Sequence, residues 1–139
     1  MSAKVQELRP RTPEAEKITI NLGHVDLGQI DLLVQEGFFS NRTDLIRTAI
    51  RTLLDRHEGT VRRLVERHRL DLGLRRYDRA ELERVRDAGE RLHIQVLGLV
   101  VIAPDVTPDL ARETIASVHV LGALQAPKEI EAALADRIR

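Results

Sequence analysis

Residues 17–22 read Lys-Ile-Thr-Ile-Asn-Leu. Polar and apolar residues alternate and the central ones are β-branched, the pattern of a short half-buried strand. Gly23-His24 ends it, and the residues beyond have helical rather than strand periodicity. No second strand lies nearby in the sequence, and a lone strand leaves both edges unpaired. The strand therefore needs a partner. The same strand of a second copy supplies one, giving a two-stranded antiparallel ribbon and an obligate dimer. Alternation sends Ile18, Ile20 and Leu22 to a helical core and Lys17, Thr19 and Asn21 outward.

Two helices are predicted next. Asp26 followed by Gln29 matches a capping box, and Leu27, Ile30 and Val34 form one stripe with Leu33 beside it. Gly37 is placed as the residue after the helix, where left-handed backbone is needed. Asn41 followed by Asp44 gives a second capping signal. Beyond it Leu45, Ile46, Ala49, Ile50, Leu53 and Leu54 make a strong apolar stripe, with Arg47, Arg51 and Arg56 on the other face. This helix ends near His57-Glu58-Gly59 or continues with a bend.

Lys17–Leu54 resembles the ribbon-helix-helix (CopG-type, MetJ/Arc-like) DNA-binding domain. The strand at 17–22, the turn Gly37-Phe-Phe-Ser40 and the helix start Asn41-Arg-Thr-Asp-Leu-Ile-Arg47 carry the resemblance. It implies a dimer whose ribbon enters the major groove of double-stranded DNA, β-ribbons being a known docking class. Lys17, Thr19 and Asn21 would then face base edges, and their donors, acceptors and methyl group suit that task. It also implies that the amides around Asn41, Arg42 and Thr43 clamp a phosphate at a helix N-terminus, with Arg47 as a further phosphate contact. Two features depart from the family pattern. Asn occupies the third outward position, where Thr, Ser or Arg are also usual, and Gly28 sits in the first turn of the first helix.

The rest of the chain is read as three further parts. Residues 1–15, with Pro10 and Pro13 and no apolar period, form a disordered arm. Residues 59–91 are an Arg-rich helical connector, with apolar Val61, Leu64, Val65 and Leu72, an interruption at Gly73, and a helix capped by Asp78 that ends near Gly89. Residues 92–139 contain a repeat: Ile94–Pro104 is similar to Val118–Pro127, and the Val-Leu-Gly triplets start at 96 and 120. A helix follows each, the first with Pro108 at its opening position. The expected fold is therefore mainly α with short strands: a ribbon-helix-helix dimer over 16–58, the connector, and a small β/α module. One strand–helix pair buries little, so this module would need a partner surface. It would serve oligomerisation or an effector, and linking dimers through it would build a tetramer or larger assembly.

Composition narrows the function classes. Lys+Arg and Asp+Glu both total 22, which alone argues against a strongly basic nucleic-acid binder. The balance is uneven, however. Residues 42–79 hold eleven Arg against six acids, whereas 93–139 hold four basic and six acidic residues. The absence of Cys excludes disulfides and thiolate chemistry. The aromatic residues are Phe38, Phe39 and Tyr77, too few for stacking-based single-strand binding. The longest apolar run, Val96–Ala103, is too short to span a bilayer, and no signal peptide is visible. A cytoplasmic protein, nucleoid-associated when bound to DNA, is expected.

Competing readings are weaker. No Gly-rich phosphate loop, Ser/His/Asp order or metal signature points to an enzyme or a cofactor. His93 and His119 occupy neighbouring repeat positions, but His119 aligns with Gln95, so a metal pair is disfavoured. An antitoxin that represses its own operon and binds a toxin through its C-terminal part is the main alternative. Such tails tend to be short and disordered, whereas 93–138 looks folded.

Overall fold

The structure, a computed structural model, describes residues 15–139. The arm expected at 1–15 lies outside this range but for Ala15. Six helices and three strands are present among the described residues: α1 His24–Gln35, α2 Arg42–Arg56, α3 Glu58–Arg67, β1 Asp71–Tyr77, α4 Arg79–Asp87, β2 Leu92–Ile102, α5 Pro108–Thr114, β3 Ile115–Gln125 and α6 Lys128–Ala133. The chain divides into two compact units, one over Ala15–Leu64 and one holding Val65–Arg139.

The first unit is built from α1, α2 and the segment before them. Residues 16–23 carry no helix or strand within the single chain. The strand expected at 17–22 is thus absent from one copy, because a strand exists only against a hydrogen-bonded neighbour. Helix α1 starts at His24 with Gly23 as its N-cap and no side-chain cap bond, so Asp26 sits in the first turn instead of capping it. At the other end Gly37 adopts φ +86. Its N–H donates to the Val34 carbonyl and the Phe38 N–H donates to that of Leu33, a Schellman ending that needs left-handed backbone. Asn41 caps α2, its Oδ1 accepting from the Asp44 N–H at 2.8 Å, while Asp44 Oδ2 accepts from the Ser40 N–H at 2.9 Å. Helix α2 gives way to α3 at His57, whose Nδ1 lies 3.0 Å from the Leu53 carbonyl oxygen. The open alternative at 57–59 resolves as a break with immediate resumption.

The second unit is a three-stranded parallel sheet in the order β1-β2-β3. Strand β1 lies inside the stretch expected to be a helical connector. The physical reason is visible at Asp71–Tyr77: its side chains are exposed except Tyr77, so an edge strand here needs no apolar run. The expected pair of strand–helix units is therefore three, and two strands run to 11 residues rather than being short. Helices α4–α6 pack on one face, where Leu82, Leu110, Ala111, Ile130 and Leu134 meet Ile94, Val96, Val100, Ile102 and Val118. This core is aliphatic but for Tyr77, over whose ring Arg75 lies at 6.0 Å.

Local signals position the helices. Asp78 Oδ1 accepts from the Glu81 N–H at 2.9 Å and Thr107 Oγ1 from the Leu110 N–H at 3.2 Å, with Pro108 first in α5. Asp105 accepts from the Arg79 N–H at 3.2 Å, which ties the β2–α5 turn to the start of α4. The last residues cover part of the β3 edge: the Val118 N–H donates to the Arg137 carbonyl and the Arg139 N–H to that of Val118.

Three glycines line up across the sheet, Gly73 beside Gly98 beside Gly122. Gly98 has φ +141 and Gly122 φ +126. A Cβ on Gly98 would overlap the Gly73 carbonyl oxygen, and one on Gly122 would overlap that of Gly98. At Gly98 and Gly122 the neighbouring backbone stands where a side chain would go, whereas Gly73 has open space there and favours glycine through its φ of +119 alone.

Candidate nucleic-acid interface

Lys17, Thr19 and Asn21 alternate with Ile18, Ile20 and Leu22 along the segment that enters α1. All six are exposed in the single chain, Ile18 to 72 % and Ile20 to 57 %. Exposed isoleucines at every second position are costly in water, at roughly 25 cal/mol per Å² of apolar surface. Helices α1 and α2 share the condition: neither contains a buried residue. Ile50, Leu53 and Leu54 stand 49–59 % exposed on the α2 stripe. A groove of about 450 Å³ runs between the two helices, lined by Leu33, Phe39, Leu45, Ala49, Leu53 and Arg56. Within one chain the two helices of this unit therefore enclose no core of their own.

The start of α2 is the second part of the site. Asn41 and Asp44 use their side chains for capping, which leaves the first-turn amides of Arg42 and Thr43 at a positive helix end. Arg42 has a different partner from the expected phosphate. Its Nε and Nη2 donate to Asp31 Oδ1 and Oδ2, both at 2.8 Å, in a bidentate pair that joins α1 to α2. Arg42 hydrogen bonds, opposed by slight burial and helped by its charge, hold the Asp31 carboxyl below the usual carboxylate range; the pair raises Arg42 in turn. No spacing signal in the sequence announces a partnership across eleven residues and a turn. Thr43 and Arg47 lie on the same helix as Arg42, with Arg47 exposed.

The histidine register is as the repeat alignment placed it: Gln95 pairs with His119 and His93 with Ser117. His93 Nδ1 and Ser117 Oγ share a hydrogen bond of 2.9 Å. No three His, Cys, Asp or Glu side chains stand together as a metal cage among the described residues.

Sequence reasoning missed one surface. Leu72, Leu97 and Leu121 stand side by side on the sheet face opposite the helices. The available signal was Leu-Gly-Leu at 72–74, which repeats as Leu97-Gly-Leu99 and Leu121-Gly-Ala123 with glycines 25 and then 24 residues apart.

A family model described as the Ribbon-Helix-Helix transcriptional regulator family matches residues 13–131. No curated protein and no solved structure matches the chain.

Proposed function

From the premise that the chain belongs to the ribbon-helix-helix transcriptional regulator family, we propose that it is a homodimeric repressor that reads double-stranded DNA in the major groove. Two copies of residues 17–22 pair antiparallel as the ribbon. Ile18, Ile20 and Leu22 then enter the joint core, and Lys17, Thr19 and Asn21 meet base edges. The Asn41, Arg42 and Thr43 amides clamp a phosphate at the start of α2, with Arg47 beside them. Arg42 acts through its Asp31 pair, holding the α2 start against α1, more than through its own guanidinium. Such a regulator works in the cytoplasm, on the nucleoid.

The observation that supports this most is the absence of any buried side chain in α1 and α2, together with the exposed Ile18 and Ile20. An exposed alternating segment and two helices without a buried residue are what half of an interlocked dimer presents. The antitoxin alternative is disfavoured by the second unit, whose core of fully buried Leu82, Ile115, Ile130 and Leu134 is that of a folded module and not of a tail that orders on a toxin. Selection of bound sequences from random duplex DNA, with the oligomer mass measured at the same salt, tests the proposal. A shared short motif in inverted or tandem copies and a mass of two chains support it. Enrichment of no sequence, with a folded dimer, overturns it.

A further inference from the structure

Strand β1 ends the sheet. Strand β2 occupies one of its edges, and no strand lies on the other among the described residues. The opposite end of the sheet is treated differently. There the C-terminal residues lie along the start of β3, with Ile138 bridged in parallel to Val118. A bare edge is a row of unpaired N–H and C=O groups, which proteins shorten, bulge, charge or cover. Asp71–Tyr77 is 7 residues long, has no proline and bears charges of both signs. Asp71, Arg75 and Arg76 are exposed and make no ion pair among the described residues. Leu72 and Leu74, between them, are 74 % and 52 % exposed.

We propose that the β1 edge pairs antiparallel with the β1 edge of a second copy, about a two-fold axis at Gly73. The charge pattern selects this occupant. An axis normal to the sheet keeps each face on its own side, so opposed residues must differ in position by an even number. With Gly73 at the axis, Asp71 stands opposite Arg75 of the second copy, and the symmetry makes this pair twice. Leu72 stands opposite Leu74 of the second copy, so the two exposed leucines cover each other. Gly73 meets its own counterpart, on a side where an added Cβ finds nothing within 4 Å. Other centres lose these pairs. Leu74 at the axis sets Arg76 against Leu72 and Asp71 against the buried Tyr77. Leu72 at the axis leaves Asp71 opposite Gly73. Asp71, Arg75 or Arg76 at the axis sets like charges opposite each other, which destabilises. Charges that guard an edge against indiscriminate pairing thus admit one register of this strand with itself. An antiparallel edge on a parallel sheet is a common arrangement, and an isologous contact closes after two copies. The inference uses residues of β1 alone and does not rest on the N-terminal ribbon.

The chain has no cysteine, so introduced thiols report chosen positions. Full-length Leu72→Cys and Leu74→Cys, one of them tagged, are oxidised mildly, each alone and after co-expression. Opposed Cα atoms would be about 4.5–5.5 Å apart, within disulfide reach, whereas either variant meeting itself would be about 7–8 Å apart. The expected result is a disulfide joining the two variants, formed about tenfold faster or more than in either variant alone. Asp71→Arg added to both should slow this linking about tenfold or more, as should Arg75→Asp, because each sets like charges opposite. The two changes together should restore it, with circular dichroism unchanged throughout. No covalent dimer in the mixture overturns the pairing. Either variant linking to itself as fast as the mixture overturns the register. Failure of the combined charge exchange to restore linking overturns the choice of partner. Loss of the ribbon reading in DNA binding would leave all of these results as they are.

Discussion

Arg42 grips Asp31 with two parallel hydrogen bonds of 2.8 Å each, joining the two helices of the N-terminal unit across the turn that separates them. The pairing depresses the Asp31 carboxyl relative to the unfolded chain. Its contribution to stability is therefore present above the ordinary carboxylate value of ~4 and fades as the pH falls through the lower folded value. Asp31→Asn removes it. The thermal midpoint of the wild type should exceed that of Asp31→Asn near neutral pH, and the two should converge in strong acid. Both groups are about half exposed, so the difference is small and should shrink with salt.

Gly98→Ala should unfold the C-terminal sheet. The added methyl meets the Gly73 carbonyl, and φ +141 is a region that L side chains rarely adopt. Strain and overlap together cost about 3 kcal/mol or more. Gly28→Ala provides the contrast: it lies within α1 with nothing within 4 Å of its added carbon, and it should stabilise by up to ~1 kcal/mol. Urea midpoints of the two variants against wild type check both signs.

Arg69 has φ +52, the single non-glycine positive φ among the described residues. It occupies the position after α3 at which its N–H donates to the Glu66 carbonyl and the Leu70 N–H to that of Val65. Glycine does this without the Cβ penalty. Arg69→Gly should raise stability by about 0.5–1 kcal/mol, net of glycine's entropy in the unfolded chain, read as a higher thermal midpoint.

Leu53→Asp tests the interlocked dimer. Leu53 is 55 % exposed in one chain and lines the groove beside α1. In a surface residue this change is nearly neutral. In a joint core it buries an unpaired carboxylate at a cost of several kcal/mol, and the N-terminal unit should unfold. Light scattering with far-UV circular dichroism separates the two. A folded, soluble monomer would sink the obligate dimer.

Much of the N-terminal unit was legible because its signals are local. Gly37 fixes the end of α1 through left-handed backbone and Asn41 the start of α2 through its side-chain cap, and the stripe from Leu45 to Leu54 fixes the face. The strand at 17–22 was legible as a pattern, but the single chain offers it no hydrogen-bonded neighbour and leaves 16–23 without a strand. The C-terminal unit was harder. Val96 and Val100 announce β2 because both are buried on the face of the central strand that the helices cover. Strand β1 has Arg75, Arg76 and Gly73 in seven residues and sits at an edge, so its hydrophobicity is too low to show; the repeat of Leu-Gly-Leu carries the information instead. The Asp31–Arg42 pair was not legible, because it depends on how two helices turn back on each other.

Net neutrality is compatible with DNA binding on this account, since a ribbon needs a few placed donors per half-site while the surplus of five positive charges over 42–79 supplies the general attraction. The most direct test compares wild type with the triple variant Lys17→Ala, Thr19→Ala, Asn21→Ala on the selected duplex and on a scrambled one, over the same series of salt concentrations. The wild type should prefer its selected site by about 10³-fold or more. The triple variant should lose that preference, yet keep a dimeric mass and a steep salt dependence. If the triple variant kept the preference, ribbon readout would be wrong.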